Sequence, residues 1–131
     1  EAVQALRQSL PRLEGSAKIG VIHSLGIRRD ALSVPELRVL LDGTDPEWAN
    51  AAASALGEIG NAPAAEILRA SLAKTTAPTR PALANAGLEC GEQLAAAGQT
   101  AEARQLYLAL KAAPVADHVR AAADLALAQL P

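Results

Sequence analysis

The stretch Asp45–Gly60, DPEWANAAASALGEIG, decides the fold. Asp45 is a typical N-cap residue, and Pro46 suits the first helical position because no intrahelical partner awaits an N–H there. Gly60 follows the last apolar residue, as is typical of a helix end. Apolar residues between them recur at three- and four-residue spacing, which predicts an amphipathic helix. The predicted inward face consists of Trp48, Ala52, Ala55, Leu56 and Ile59.

The same pattern recurs along the chain, which indicates an internal repeat. A shift of 31 residues places Leu25-Gly26 on Leu56-Gly57. A shift of 32 places the Asp45–Gly60 stretch on the following long helix, and a shift of 71 places it on the last helix. The other matched pairs are Leu37 with Leu68, Leu41 with Leu72, Pro46 with Pro78, Ala52 with Ala84, Leu56 with Leu88, Val119 with Trp48 and Leu127 with Leu56.

The periodicity predicts eight helices joined by short turns, including a polar turn at Lys74–Thr79. Alanine and leucine supply most of the apolar surface, whereas aromatic residues make up only 2% of the chain. Both favour tightly packed helices over a sheet. The fold class we expect is all-α, a right-handed superhelix or solenoid of about four antiparallel hairpins. The predicted helices are 2–13, 17–29, 34–42, 45–60, 63–73, 80–97, 101–112 and 118–130.

Charge and composition disfavour several classes of partner. The net charge of −2 and the pI near 5.7 weigh against a nucleic-acid binder, which is usually basic. No span of apolar residues predicts a membrane helix, and no helix has a Lys/Arg-rich polar face typical of a membrane surface. Cys90 is the single cysteine, so an intrachain disulfide is excluded.

The domain expected is one solenoid over residues 1–131. The chain contains no methionine, even at position 1, which indicates a piece of a larger protein. Its localisation, cytoplasmic or exported, and its oligomeric state therefore stay open at this point.

The Asp45–Gly60 helix resembles the second helix of a HEAT repeat, especially the short bacterial type. That pattern runs Asp-Pro, an acid, Val-Arg, several Ala, then Ala-Leu-Gly-x-Ile-Gly. The chain departs from it at Trp48, where the family has Val, and at Ala49, where it has Arg. The last helix regains the pair as Val119-Arg120. The matching residues are Asp45, Pro46, Glu47, Ala51–Ala53, Ala55, Leu56, Gly57, Ile59 and Gly60, within a resemblance that covers roughly residues 16–131.

A second resemblance lies inside the first. The spacing of Gly91, Leu94, Gly98, Ala103 and Tyr107, with Pro114 near the end, is similar to that of a tetratricopeptide hairpin. The early Trp of that motif is missing. The segment is either a tetratricopeptide-like hairpin among HEAT-like ones or a convergent solution to the packing of helical pairs. Both interpretations lead to a solenoid.

Few residues suggest catalysis. His23 and His118 lie far apart with no ligand-type spacing around them, so we expect no metal site and no cofactor. Cys90 is expected to be a small buried apolar residue, since the neighbouring acids Glu89 and Glu92 disfavour a thiolate. Pairs of scattered carboxylates on helices are usually solvated. The expectation is therefore a protein that is not an enzyme.

Trp48 is the exception in a chain of small side chains. It replaces a medium-sized aliphatic residue on the inward face, so we expect it to fill space in the core. The alternative is a ring partly exposed on a binding surface.

The resemblance implies a scaffold that presents a surface to a protein or peptide, since second helices line the inner surface of HEAT-like solenoids. A structural spacer in a multidomain bacterial protein and a bilin-lyase-like enzyme are the alternatives. A DNA glycosylase built on helical repeats is disfavoured by the two aromatic residues and the negative charge. The residues expected to contact the partner are His23, Asn50, Ser54, Glu58, Asn85 and Glu89.

Overall fold

The computed structural model describes residues 2–74 and 79–131, and within them the protein is all-α. Two short 3-10 turns, Leu10–Arg12 and Ala31–Ser33, accompany the helices. The predicted helices are confirmed, although the predicted turn at Lys74–Thr79 lies mostly outside the described residues. The helices are α1 (Ala2–Ser9), α2 (Gly15–Ile27), α3 (Val34–Leu41), α4 (Pro46–Ile59), α5 (Ala62–Lys74), α6 (Arg80–Ala96), α7 (Thr100–Ala112) and α8 (Asp117–Gln129).

The first hairpin departs from the regular pattern. Pro11 ends the first helix early and leaves a 3-10 turn, because proline cannot donate the next backbone hydrogen bond. Asp30, just beyond α2, accepts a hydrogen bond from Arg7 Nε at 2.6 Å and so ties α1 to the end of α2. Ser16 was expected to be an N-cap, but α2 already begins at Gly15 and no side chain caps it.

Helix α4 is closed at both ends as its sequence predicts. Asp45 Oδ1 accepts hydrogen bonds from the backbone N–H groups of Glu47 and Trp48, each at 3.0 Å. At the other end, Gly60 adopts a left-handed conformation with φ of 62°, which a glycine takes without steric cost. These caps satisfy backbone groups that a helix end otherwise leaves unpaired.

The helices form two layers of a solenoid. One layer contains α2, α4 and α6 side by side, with α4 in the middle and α8 beside α6. The other layer contains α3, α5 and α7. Successive helices pair across the layers as α1/α2, α3/α4, α5/α6 and α7/α8, which confirms a solenoid of helical hairpins.

Glycines set the register between the second helices of the hairpins. A Cβ at Gly26 would lie 2.8 Å from Ala55 Cα, and one at Gly57 would lie 2.8 Å from Ala86 Cα. Since Gly57 and Ala86 each follow their counterparts by 31 residues, the α4-to-α6 register is 31. The shift of 32 used to match Ala52 with Ala84 and Leu56 with Leu88 is therefore wrong by one residue, and Pro78 lies outside the described residues.

The core consists mainly of leucines and alanines, with one aromatic ring at the far end. Tyr107 of α7 is 2% exposed, and its ring occupies the space that a side chain at Gly91 would need. Helix α6 passes straight through Gly91, although the corresponding Gly60 ends α4. The third repeat thus loses its helix end and gains a longer helix packed on Tyr107.

Candidate partner-binding face

The register of 31 arranges outward residues of three helices in rows. We call this set the second-helix face. Each row advances by four residues, about one helical turn. The rows are Ile19, His23 and Ile27 on α2, Asn50, Ser54 and Glu58 on α4, and Pro81, Asn85 and Glu89 on α6.

All six residues expected to bind a partner lie on this face. His23, Asn85 and Glu89 are exposed, and Asn50, Ser54 and Glu58 are half-buried. None of the six side chains makes a hydrogen bond or an ion pair within the described residues, and Asn50 Oδ1 is buried without a partner. The structure brings these residues together, while their role in binding stays a prediction.

One edge of the face is acidic. The pKa of Glu89 is raised by partial burial first, then by the charges of Glu58 and Glu92, while Arg29 opposes the shift. Glu58 also lies close to α2, since a Cβ at Gly26 would be 2.7 Å from Glu58 Oε1. The repulsion among these carboxylates is thus balanced in part by one arginine.

Arg29 is held in an unusual backbone conformation. Its φ is 53°, and no other described residue except glycine has a positive φ. Its backbone N–H donates to Gly26 O at 2.9 Å, and that of Asp30 donates to Leu25 O at 3.1 Å, so the pair closes α2. Gly60 holds the corresponding place in α4. Arg29 therefore occupies a site where the next repeat has the residue that fits best.

Trp48 is half-buried rather than fully buried, so the core interpretation holds only in part. Its ring packs against the core, and its Nε1 donates a hydrogen bond to Gly15 O at 3.4 Å. The ammonium of Lys18 lies 4.1 Å from the ring centroid, a cation–π contact. Trp48 thus joins α4 to α2 and covers a lysine that is only 8% exposed.

The sequence interpretation missed a row of cations. Ala49 stands where HEAT repeats have Arg, and the register places Lys18 and Arg80 at the same point of α2 and α6. The shift of 71 places Arg120 there in α8. Carrying the Ala49 comparison through every second helix was the signal that identifies them. Arg120 donates to Ala113 O at 2.9 Å and Lys111 O at 3.3 Å, whereas the Nε of Arg80 is buried without a partner.

Gln93 is a second missed residue. From α6 its side-chain amide donates hydrogen bonds to Glu58 O at 2.6 Å and Gly57 O at 3.1 Å, both at the end of α4. Helix ends leave such carbonyls unpaired, so Gln93 completes the cap of α4 from the neighbouring repeat. No local sequence signal identifies this contact, because it depends on α6 extending past Gly91.

The cysteine and the histidines show no arrangement for metal or nucleophilic chemistry within residues 2–74 and 79–131. Cys90 is fully buried, as expected, and burial first and then Glu89 raise the pKa of its thiol to about 12. His23 and His118 are both exposed, on α2 and α8. Among the described residues, no three His, Cys, Asp or Glu side chains are close enough to form a metal site. None of the described helices has the length and apolarity needed to cross a bilayer.

Hairpins stacked in two layers at a constant register define a helical-repeat protein of the α-solenoid class. The chain belongs to the HEAT-repeat family, since a family model described as HEAT repeats matches residues 2–89, more than half of the chain. The comparisons with curated proteins and with solved structures gave no match. The family match ends next to Gly91, where α6 departs from the repeat pattern. HEAT repeats typically serve as non-catalytic scaffolds, and many mediate protein interactions.

Proposed function

We propose that this domain is a binding scaffold whose second-helix face takes an extended segment of a partner protein. The observation that carries the proposal is the row of polar side chains on α2, α4 and α6 that have no partner within the described residues. A folded chain usually pairs its half-buried polar groups, and Asn50 Oδ1 is buried unpaired. A bound segment supplies hydrogen-bond partners for such groups.

The shape of the rows favours an elongated partner. Ser54 lies at the centre, flanked by His23 on α2 and Asn85 on α6, so one segment crossing the three helices reaches all of them. Repeat proteins bind through such continuous surfaces because neighbouring units present equivalent positions side by side. The proposal rests on family behaviour and on this geometry, and the identity of the partner does not enter it.

Site-specific photo-crosslinking tests the proposal. A photoreactive amino acid is placed at Ser54, at the centre of the second-helix face, and in a second variant at Glu66, an exposed position of α5 in the other layer. We expect discrete crosslinked species in a lysate of the source cells from the Ser54 position only. The double substitution Ser54→Arg with Asn85→Arg should abolish partner recovery, whereas Glu66→Arg should leave it intact.

Equal crosslinking from the two positions would place the contact elsewhere. No crosslink from Ser54 in a folded variant would contradict the scaffold proposal and favour the spacer alternative. Circular dichroism establishes that each variant is folded. The comparison is informative because both positions are on helices of the same solenoid and differ in the layer they face.

A further inference from the structure

We propose that the cleft between the N-terminal parts of α6 and α8 is an oxyanion-binding site, which takes a phosphoryl or carboxylate group. Arg80 supplies the charge, and Asn85 and His118 supply further polar groups. The cleft has a volume of about 220 Å³, and Pro81, Ala84 and Val119 form part of its apolar wall. The site does not depend on the proposed partner segment, although Asn85 belongs to both.

The main argument is that Arg80 has no anion of its own. The side chain is half-buried, its Nε is inaccessible and unpaired, and no ion pair joins it to any described residue. None of the residues that line the cleft carries a carboxylate. A partly desolvated guanidinium without a counter-charge is unfavourable, so the free energy of the site falls when an anion enters.

The equivalent cations show that this is a property of the position and not of the repeat. Lys18 lies against the ring of Trp48 in the next hairpin. Arg120 binds two backbone carbonyls and the carboxylate of Asp117. The residue that corresponds to Trp48 for Arg80 is Val119, which provides neither a ring nor an acceptor in its side chain.

The chemistry of the cleft suits a small oxyanion. A guanidinium binds phosphate or carboxylate through paired N–H donors, and apolar walls strengthen that attraction by excluding water. Arg80 begins α6 and His118 lies in the first turn of α8, so the positive ends of two helix dipoles add to the charge of Arg80. The volume equals several water molecules at ~30 Å³ each, which is room for a tetrahedral anion.

Titration with inorganic phosphate, and separately with acetate, tests the site by NMR on the full chain. The signals to follow are the Nε–H of Arg80, the side-chain amide of Asn85 and the ring of His118, at constant ionic strength. We expect saturable shifts of all three. Arg80→Gln should weaken binding by about tenfold or more, because a hydrogen bond to a charged group is lost. Arg80→Lys should lie between, since it keeps the charge without the paired donors.

The matched control is Arg104→Gln, which removes the same charge from an exposed position of α7. It should leave the affinity unchanged. Shifts that do not saturate, or an equal affinity in the wild-type and Arg80→Gln proteins, overturn the proposal. Tighter binding of phosphate than of acetate assigns the site to phosphoryl groups, and comparable binding assigns it to carboxylates. Unchanged circular dichroism of Arg80→Gln shows that a lost signal is not caused by unfolding.

Discussion

The junction between α2 and α4 differs from the junction between α6 and α8, although both join second helices of neighbouring hairpins. At the first, the backbones come so close that only glycine fits at position 26. A tryptophan of α4 also covers the cation of α2. At the last junction, an open cleft separates the helices, and the corresponding cation, Arg80, has no partner.

The difference shows how one repeat position acquires two roles. A cation occupies the same place in α2, α6 and α8, so the repeat itself supplies it. What the cation does depends on the residue that the next hairpin places against it. Trp48 makes the first junction a closed structural contact, whereas Val119 leaves the last one available to a ligand.

The largest expected effect tests the close approach of α2 and α4. Gly26→Ala should lower the free energy of unfolding by ~1–3 kcal/mol, because the new Cβ meets the backbone of Ala55 at 2.8 Å. Gly20→Ala is the control in the same helix, since nothing lies within 4 Å of a Cβ there. It should raise stability by ~1 kcal/mol through helix propensity. Urea denaturation measures both, and equal effects would show that the helices do not touch as described.

The sequence alone predicts most of the fold for a simple physical reason. Helix boundaries depend on local features such as the cap at Asp45, the glycine at Gly60 and the spacing of apolar residues, so they are legible from short segments. The register between helices is not local, and the shift of 32 between α4 and α6 was wrong by one residue. It is set by Gly57 facing Ala86, which a comparison of apolar patterns does not resolve.

The next effect concerns how α2 ends. Arg29→Gly should raise the free energy of unfolding by ~1 kcal/mol, because a left-handed residue with a Cβ is strained by ~1–2 kcal/mol and part of that gain is offset by a lost helix-end charge. Arg28→Gly removes the same charge at a residue with φ of −79°, so it should destabilise slightly. If thermal unfolding shows the same shift for both, charge and not backbone strain dominates at this helix end.

The third effect compares the two cations directly. Lys18→Met should cost ~0.5–1 kcal/mol, because the cation–π contact with Trp48 is lost. Arg80→Met should be neutral or stabilising, since it removes a partly buried charge that has no counter-ion. Urea denaturation in a buffer free of phosphate and sulfate measures both. A clear loss of stability in Arg80→Met would mean that the structure already compensates this charge.

The candidate site was only partly predictable, and the reason lies in the same two junctions. The outward positions His23, Ser54 and Asn85 follow from helical periodicity, so the sequence places them on one face. Arg80 was overlooked because its significance lies in a missing partner. That absence depends on how α8 lies beside α6, which no spacing along the chain reveals.

The smallest expected effect concerns Glu89, at the acidic edge of the second-helix face. Its pKa is raised from the ordinary 4.5 by partial burial and by the charges of Glu58 and Glu92. A raised pKa means that the folded state holds the proton more tightly, so the ionised side chain opposes folding at neutral pH. The penalty disappears as the pH falls below 4.5, because the group is then protonated in both states.

Glu89→Gln should therefore raise stability at pH 7 by ~0.3 kcal/mol, a small value because solvent screens an exposed group. It should have no effect near pH 3. Glu66→Gln, on the other layer, serves as the control and should change stability at neither pH. Urea denaturation at both pH values measures the difference. A gain of the same size at pH 3 would attribute the effect to helix propensity, and the acidic edge would then impose no electrostatic cost on folding.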